Sequence, residues 1–169
     1  MRAAYYRVLC PLYVRRIGAG TQFFGPIRLG RPFSNVTIGS HNMMGYGVFM
    51  QTGRASSISI GDHCSINSFC HLVAGERIVI GNNVAIAELV SIRDQEHRFH
   101  PDHGVRGQGF DVAPIMIEDN VWIGRGVYIG PGSHIRRGSI VGANSVVRGE
   151  FPPNVLIAGA PAVVKKELD

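Results

Sequence analysis

The sequence is short of most features that would decide its class at a glance. Three cysteines, an odd number, argue against a disulfide framework. No apolar run approaches the roughly 18 residues that a membrane-spanning helix needs. The opening MRAAYYRVLCPLYVRR is broken by Arg7 and Pro11 and has no small-residue cleavage site, so it makes a poor secretory signal. A short capping helix is the expectation there, with a membrane-surface contact through Arg2, Arg7, Arg15 and Arg16 as the weaker one. Glycine is plentiful, at 22 of 169 residues, yet shows neither the three-residue period of collagen nor the low complexity of a disordered tract. Aromatic and basic residues do not interleave on one face, as single-stranded nucleic acid would need, so no nucleic-acid partner is expected. The net charge of +5 then implies only a general affinity for anions. The length suits one domain with a continuous core.

What is present is a period of six. From Ile117 the chain divides into IEDNVW, IGRGVY, IGPGSH, IRRGSI and VGANSV, so that Ile117, Ile123, Ile129, Ile135, Val141 and Val147 recur at a fixed interval. Four residues after each of the first five stands a small or β-branched residue: Val121, Val127, Ser133, Ser139 and Ser145. Six fits neither the 3.6 of an amphipathic helix nor the 2 of a single long strand. It fits a chain that turns a corner every six residues, with one inward aliphatic and one small residue beneath each bend, which is a parallel β-solenoid.

The same ruler measures the rest. Ile17, Phe23 and Leu29 are spaced by six, as are Ile38, Met44 and Met50, then Ile60, Ile66 and Leu72, then Ile80, Ile86 and Ile92. Each trio makes one three-sided coil of about 18 residues, six coils in all, stacked to about 29 Å at the usual strand spacing. The breaks in period fall after Leu29, Met50, Leu72 and Ile92, always behind the third side of a coil, so the insertions line one edge of the prism. The longest, 93–116, is polar, holds three of the seven histidines and has no core pattern, which marks it as a functional loop. After Val147 the prolines of RGEFPPN end the repeat, and VLIAGAPAVVKKELD is expected to close the solenoid. The division is therefore an N-terminal cap at 1–16, a solenoid at 17–150 with its inserted loop, and a C-terminal cap at 151–169. Cys64 and Cys70 take small buried positions of the repeat, as in a reduced, cytoplasmic protein.

INSFC at 66–70, IGNNVAIAELVSI at 80–92, the histidine opening the long loop, PIMIEDNVWIGRGVYIGPG at 114–132, VGANSVV at 141–147 and FPPNVLIAGAPA at 151–162 together resemble the hexapeptide-repeat acyltransferases. Closest in look are the galactoside, maltose and nodulation-factor O-acetyltransferases and the sugar O-acetyltransferases of surface-polysaccharide synthesis. The resemblance implies an all-β fold, a single-stranded left-handed parallel β-helix, assembled as a homotrimer with active sites between subunits. It implies acetyl-CoA as donor, a saccharide or a nucleotide- or lipid-linked sugar as acceptor, and no metal.

It also assigns residues. His97 matches the family's catalytic histidine and stands thirty residues after Asn67, which matches an acceptor-site asparagine. A neutral imidazole suits a base that takes a hydroxyl proton and returns it to a thiolate. His100 and Glu96 are further acceptor-side candidates, and Glu96 or Glu88 is a candidate to steady the second nitrogen of His97. For the donor the matches are Arg125, whose backbone N–H would face the thioester carbonyl, Ala143 one coil later, and Arg148, with Trp122 as a wall of the groove. In the tail, Lys165 and Lys166 would meet the nucleotide phosphates, while Val163 stands where the family often has a basic residue. Three other readings compete: an amino-sugar or serine acetyltransferase of the same fold, a zinc-dependent gamma-type carbonic anhydrase using His63, His71 and His97, and a non-catalytic solenoid that binds partners.

Overall fold

In the computed structural model residues 14–30 and 35–169 are described, and they form strands and turns with no helix. The expected N-terminal helix, with Arg2 and Arg7, lies outside the described residues. The described chain is a left-handed parallel β-helix whose strands collect into three faces. On the first face Ile17, Ile38, Ile60, Ile80, Ile117 and Ile135 lie rung upon rung. Phe23, Met44, Ile66, Ile86, Ile123 and Val141 do so on the second, and Leu29, Met50, Leu72, Ile92, Ile129 and Val147 on the third. Every rung thus pairs the residues that a count of six aligns.

The corners explain the composition. Val121, Val127, Ser133, Ser139 and Ser145 are all buried beneath bends. The serine hydroxyls are satisfied there: Ser133 donates to the Gly130 carbonyl and Ser145 to that of Gly142, both at 2.7 Å. Bends also need positive φ, which Asn83, Asn120 and Asn144 tolerate at 55–58°. At Gly126, with φ of 67°, a Cβ would come within 2.5 Å of the Asn144 side-chain oxygen on the next coil, so both strain and space demand glycine.

Two boundaries differ from the sequence reading. The ladder continues past RGEFPPN: Phe151 pairs with Ile135, and Ile157 with Val141, giving a partial seventh coil. The step from Val147 to Phe151 is four, which hides it from the ruler, and Pro152 and Pro153 fall between strands where no ladder bond is lost. Ala162–Glu167 then folds back antiparallel on Val155–Gly159 and closes the second face. The long insertion is 94–114, since Arg93 belongs to the third face and Ile115–Ile117 to the first. It contains a two-stranded hairpin of its own, Gln95–His97 against Phe110–Val112.

Candidate active site

The inserted loop is fastened at its foot by a buried acid. Asp94 is fully buried, and its carboxylate accepts from three successive backbone N–H groups of the corner one coil below, Gly75 at 2.5 Å, Glu76 at 2.9 Å and Arg77 at 2.7 Å. Such charge-assisted bonds compensate for taking a carboxylate out of water. The returning strand is tied to the same point, because Ala113 N–H donates to the Asp94 carbonyl at 2.9 Å. His97 stands three residues from this anchor, exposed, with its ring 4.2 Å from that of Phe110 across the hairpin.

A second anchor holds the hairpin against the third face. The Glu96 carboxylate accepts from the Tyr128 hydroxyl at 3.1 Å and from the Arg148 guanidinium, which also lies 5.8 Å above the Tyr128 ring. The bond from Arg148 holds the Glu96 pKa below the usual carboxylate range, while burial, then Glu96 itself, pushes that of Tyr128 up. Glu96 is therefore ionised at neutral pH and engaged by Tyr128 and Arg148. Among the described residues neither it nor Glu88, which pairs with Arg125 at 3.1 Å, is bonded to His97. His100 accepts from the Asp102 N–H at 3.2 Å and stacks on His103 at 4.8 Å, further out on the loop.

The remaining candidates divide between two edges of the third face. Asn67, Glu88, Arg125 and Ala143 follow the edge shared with the second face, where Asn144 N–H donates to the Arg125 carbonyl at 2.8 Å and stacks the two coils. The backbone N–H groups of Arg125 and Ala143 meet no acceptor among the described residues. Trp122 is exposed on the second face, in register with Ala85 and Ile140. Lys165 and Lys166 lie on the closing strand of that face, with Lys166 opposite Leu156 and Val163 opposite Ala158. Arg148 lies on the other edge with Glu96, away from the tail lysines. No hydrogen bond or ring contact joins His97 to Asn67.

Two further expectations can be placed. Cys64 and Cys70 are buried free thiols. Burial raises the pKa of both, that of Cys70 to about 11. The three histidines of the zinc reading are scattered in the chain: His63 stacks on His41 at 5.0 Å, His71 lies against Phe49 on the third face, and His97 is on the loop. Among the described residues no three metal-ligating side chains come together.

The bacterial transferase hexapeptide pattern of six repeats matches residues 114–149. A protein of Escherichia coli provisionally named lipopolysaccharide biosynthesis O-acetyl transferase, WbbJ, is 30% identical over 141 residues, 79% of this chain and 72% of that protein. The chain belongs to the hexapeptide-repeat transferase family. It is an acyltransferase. The galactoside O-acetyltransferase of Escherichia coli is 35% identical to it over 133 residues, 79% of this chain and 64% of that enzyme. The hexapeptide-repeat acetyltransferase VCA0836 of Vibrio cholerae, also solved with acetyl-CoA, superposes with a TM-score of 0.73 at 28% identity, over 100% of this chain and 82% of that one.

Two residues of this acyltransferase escape a reading by period. Asp94 follows the last outward residue of its coil, and only an acid one step past the repeat hints at a corner anchor. Tyr128 sits at an ordinary outward position, 32 residues from the Glu96 it meets.

Proposed function

We propose that this acyltransferase moves an acetyl group from acetyl-CoA to a hydroxyl of a saccharide acceptor, with His97 as general base. The carrying observation is His97 itself: an exposed imidazole with no acid partner, on a hairpin held by Asp94 at its foot and by Glu96 at its flank. A loop fastened at two points positions a base in a way that a solvated loop cannot. The acceptor oxygen attacks the thioester carbonyl carbon while the imidazole takes the hydroxyl proton. The free N–H of Arg125 is suited to receive the oxyanion. Collapse breaks the C–S bond, and the imidazolium returns the proton to the departing thiolate. Direct attack is favoured because the thiols of Cys64 and Cys70 are buried and protonated. Trp122, Ala143, Lys165 and Lys166 are the further donor-side residues. The saccharide acceptor is supported by the names of the Escherichia coli relatives.

The same reading requires more than one copy of the chain. Asn67, Arg125 and Ala143 lie on one edge of the third face and His97 at the other, so a site that uses both edges closes when one subunit's edge meets its neighbour's loop. A three-sided prism packs this way as a trimer. The test is to mix inactive His97→Ala and Asn67→Ala proteins through unfolding and reassembly and to measure acetyl transfer. Recovered activity supports sites shared between subunits; none after verified mixing rejects them. His97→Ala alone must slow transfer by about 10²-fold or more, and retention of the wild-type rate would overturn the assignment of the base.

A further inference from the structure

The third face carries a cavity of about 500 Å³ across its first four coils, lined by none of the residues given to acetyl transfer above. Arg28, Phe49 and His71 occupy successive rungs of one outward row, with Arg93 beside them one rung further on. Tyr46 and Phe69 form the rim on the edge that bears Asn67, their rings 5.5 Å apart and nearly perpendicular. Two features give this cavity its charge. Its described lining contains no aspartate or glutamate. And no carboxylate pairs with Arg28 or Arg93 among the described residues, as Glu88 pairs with Arg125 and Glu96 with Arg148 on the two edges of the same face. Arg93 is steadied only by a bond from its Nε to the Ser91 hydroxyl, at 3.3 Å.

Two guanidinium groups with no carboxylate beside them, in a concave site with aromatic walls, concentrate positive potential, and the His71 imidazole adds a hydrogen-bonding group. Guanidinium matches phosphate in geometry as well as in charge. A volume of 500 Å³ is in the range of small-molecule sites and exceeds what a bare phosphate fills. Phe49, Phe69 and Tyr46 offer apolar faces to a sugar ring or a base. The rim is also kept at a steric cost, since Phe69 is about half exposed in the left-handed region, at φ of 59°, where the coil below has Gly47. The position of the cavity ties it to the acceptor: Phe69 follows Asn67 by two residues, and Arg93 precedes His97 by four.

We infer that this cavity binds a phosphate ester on the acceptor, so that the enzyme acetylates a phosphorylated sugar, either a sugar phosphate or a nucleoside diphosphate sugar. The inference rests on the acetyl-transfer reading and narrows its substrate class. Calorimetric titration of the wild-type oligomer with UDP, glucose 1-phosphate and glucose, each with and without saturating CoA, tests it alongside Arg28→Gln, Arg93→Gln and the conservative Arg93→Lys. Binding of a phosphate ligand is expected with CoA already bound, with affinity falling about tenfold in each glutamine variant, partly restored in Arg93→Lys, and weakening as salt rises. Glucose should not bind measurably. UDP binding without glucose 1-phosphate binding identifies a nucleotide-linked acceptor, and the reverse a simple sugar phosphate. The inference is overturned if neither phosphate ligand binds, if CoA displaces both, or if both glutamine variants bind like wild type. Equal acetylation of a neutral sugar by wild type and both glutamine variants would remove this inference and leave the acetyltransferase standing. Phosphate binding in the cavity without acetyl transfer to any acceptor would do the reverse.

Discussion

The coils at 115–147 and the inserted loop at 94–114 are neighbours in sequence held together by different physics. In the coils each residue repeats the task of the one a coil away: Ile117 and Ile135, or Ile123 and Val141, are buried in the same place on successive rungs. The loop has no such redundancy. Its order rests on a few unique bonds, the Asp94 carboxylate below, the Glu96 carboxylate at the flank and Arg98 to Asp111 at 2.6 Å within the hairpin. Phe99 and Phe110 point away from any core and are exposed. Stability should therefore be spread along the coils and activity concentrated in the loop, and substitutions can separate the two.

The sharpest separation is His97→Ala. Loss of a general base removes about 10²- to 10⁴-fold of the rate, while CoA affinity and melting temperature should stay at wild-type values because the ring is exposed and lies against Phe110 on the loop surface. The converse substitution is Ile123→Ala, at a fully buried rung. It should cost about 2–5 kcal/mol of stability, read by chemical denaturation, with kcat of the folded fraction little changed. Phe99→Ala, also on the loop and 69% exposed, should alter stability by no more than about 0.5 kcal/mol. A comparable loss at Phe99 and Ile123 would break the comparison.

Asp94→Asn is intermediate, because Asp94 belongs to both regions. The amide would turn a donor towards N–H groups of Gly75, Glu76 and Arg77 that now have an acceptor. An unsatisfied buried group costs about 1–3 kcal/mol. As a positioning residue Asp94 should affect kcat more than KM, and hydrogen exchange should speed up across 95–112 while coils five and six keep their protection. Unchanged exchange in the hairpin would mean that the anchor does not order it.

The same contrast decides what the sequence could tell. Periodic order is legible, because a count of six within each coil, restarted after each insertion, aligns every rung from Ile17 to Val147, and burial of Val121, Ser133 and Ser145 follows from it. The count fails where the step changes: four residues from Val147 to Phe151 conceal the seventh coil. That His97 stands on an inserted loop is legible from the break in the period. Its supports are not, because Glu96 meets Tyr128 and Arg148 across 32 and 52 residues, and nothing local in the chain prefers those partners. The sequence alone makes Glu96 an acceptor-side candidate, whereas in the fold its carboxylate is bonded to Tyr128 and Arg148.

The smallest expected effect tests that tether. Because Arg148 holds the Glu96 pKa below its ordinary value, the ion pair favours the docked loop above the usual carboxylate range of about 4.3 and is lost as pH falls through the lowered value. Glu96 and Arg148 are each nearly half exposed, so solvent screens the pair and its worth is no more than about 1 kcal/mol. Glu96→Gln should therefore raise hydrogen exchange of the hairpin only a few-fold at pH 7 and lower kcat by a similar factor. Once pH has fallen below that lowered value, provided the coils stay folded, wild type and variant should converge, since protonation removes from one the charge that substitution removes from the other. If they differ as much at low pH as at pH 7, the tether is one of shape or of the Tyr128 hydrogen bond, and the charge of Arg148 has no part in holding the loop.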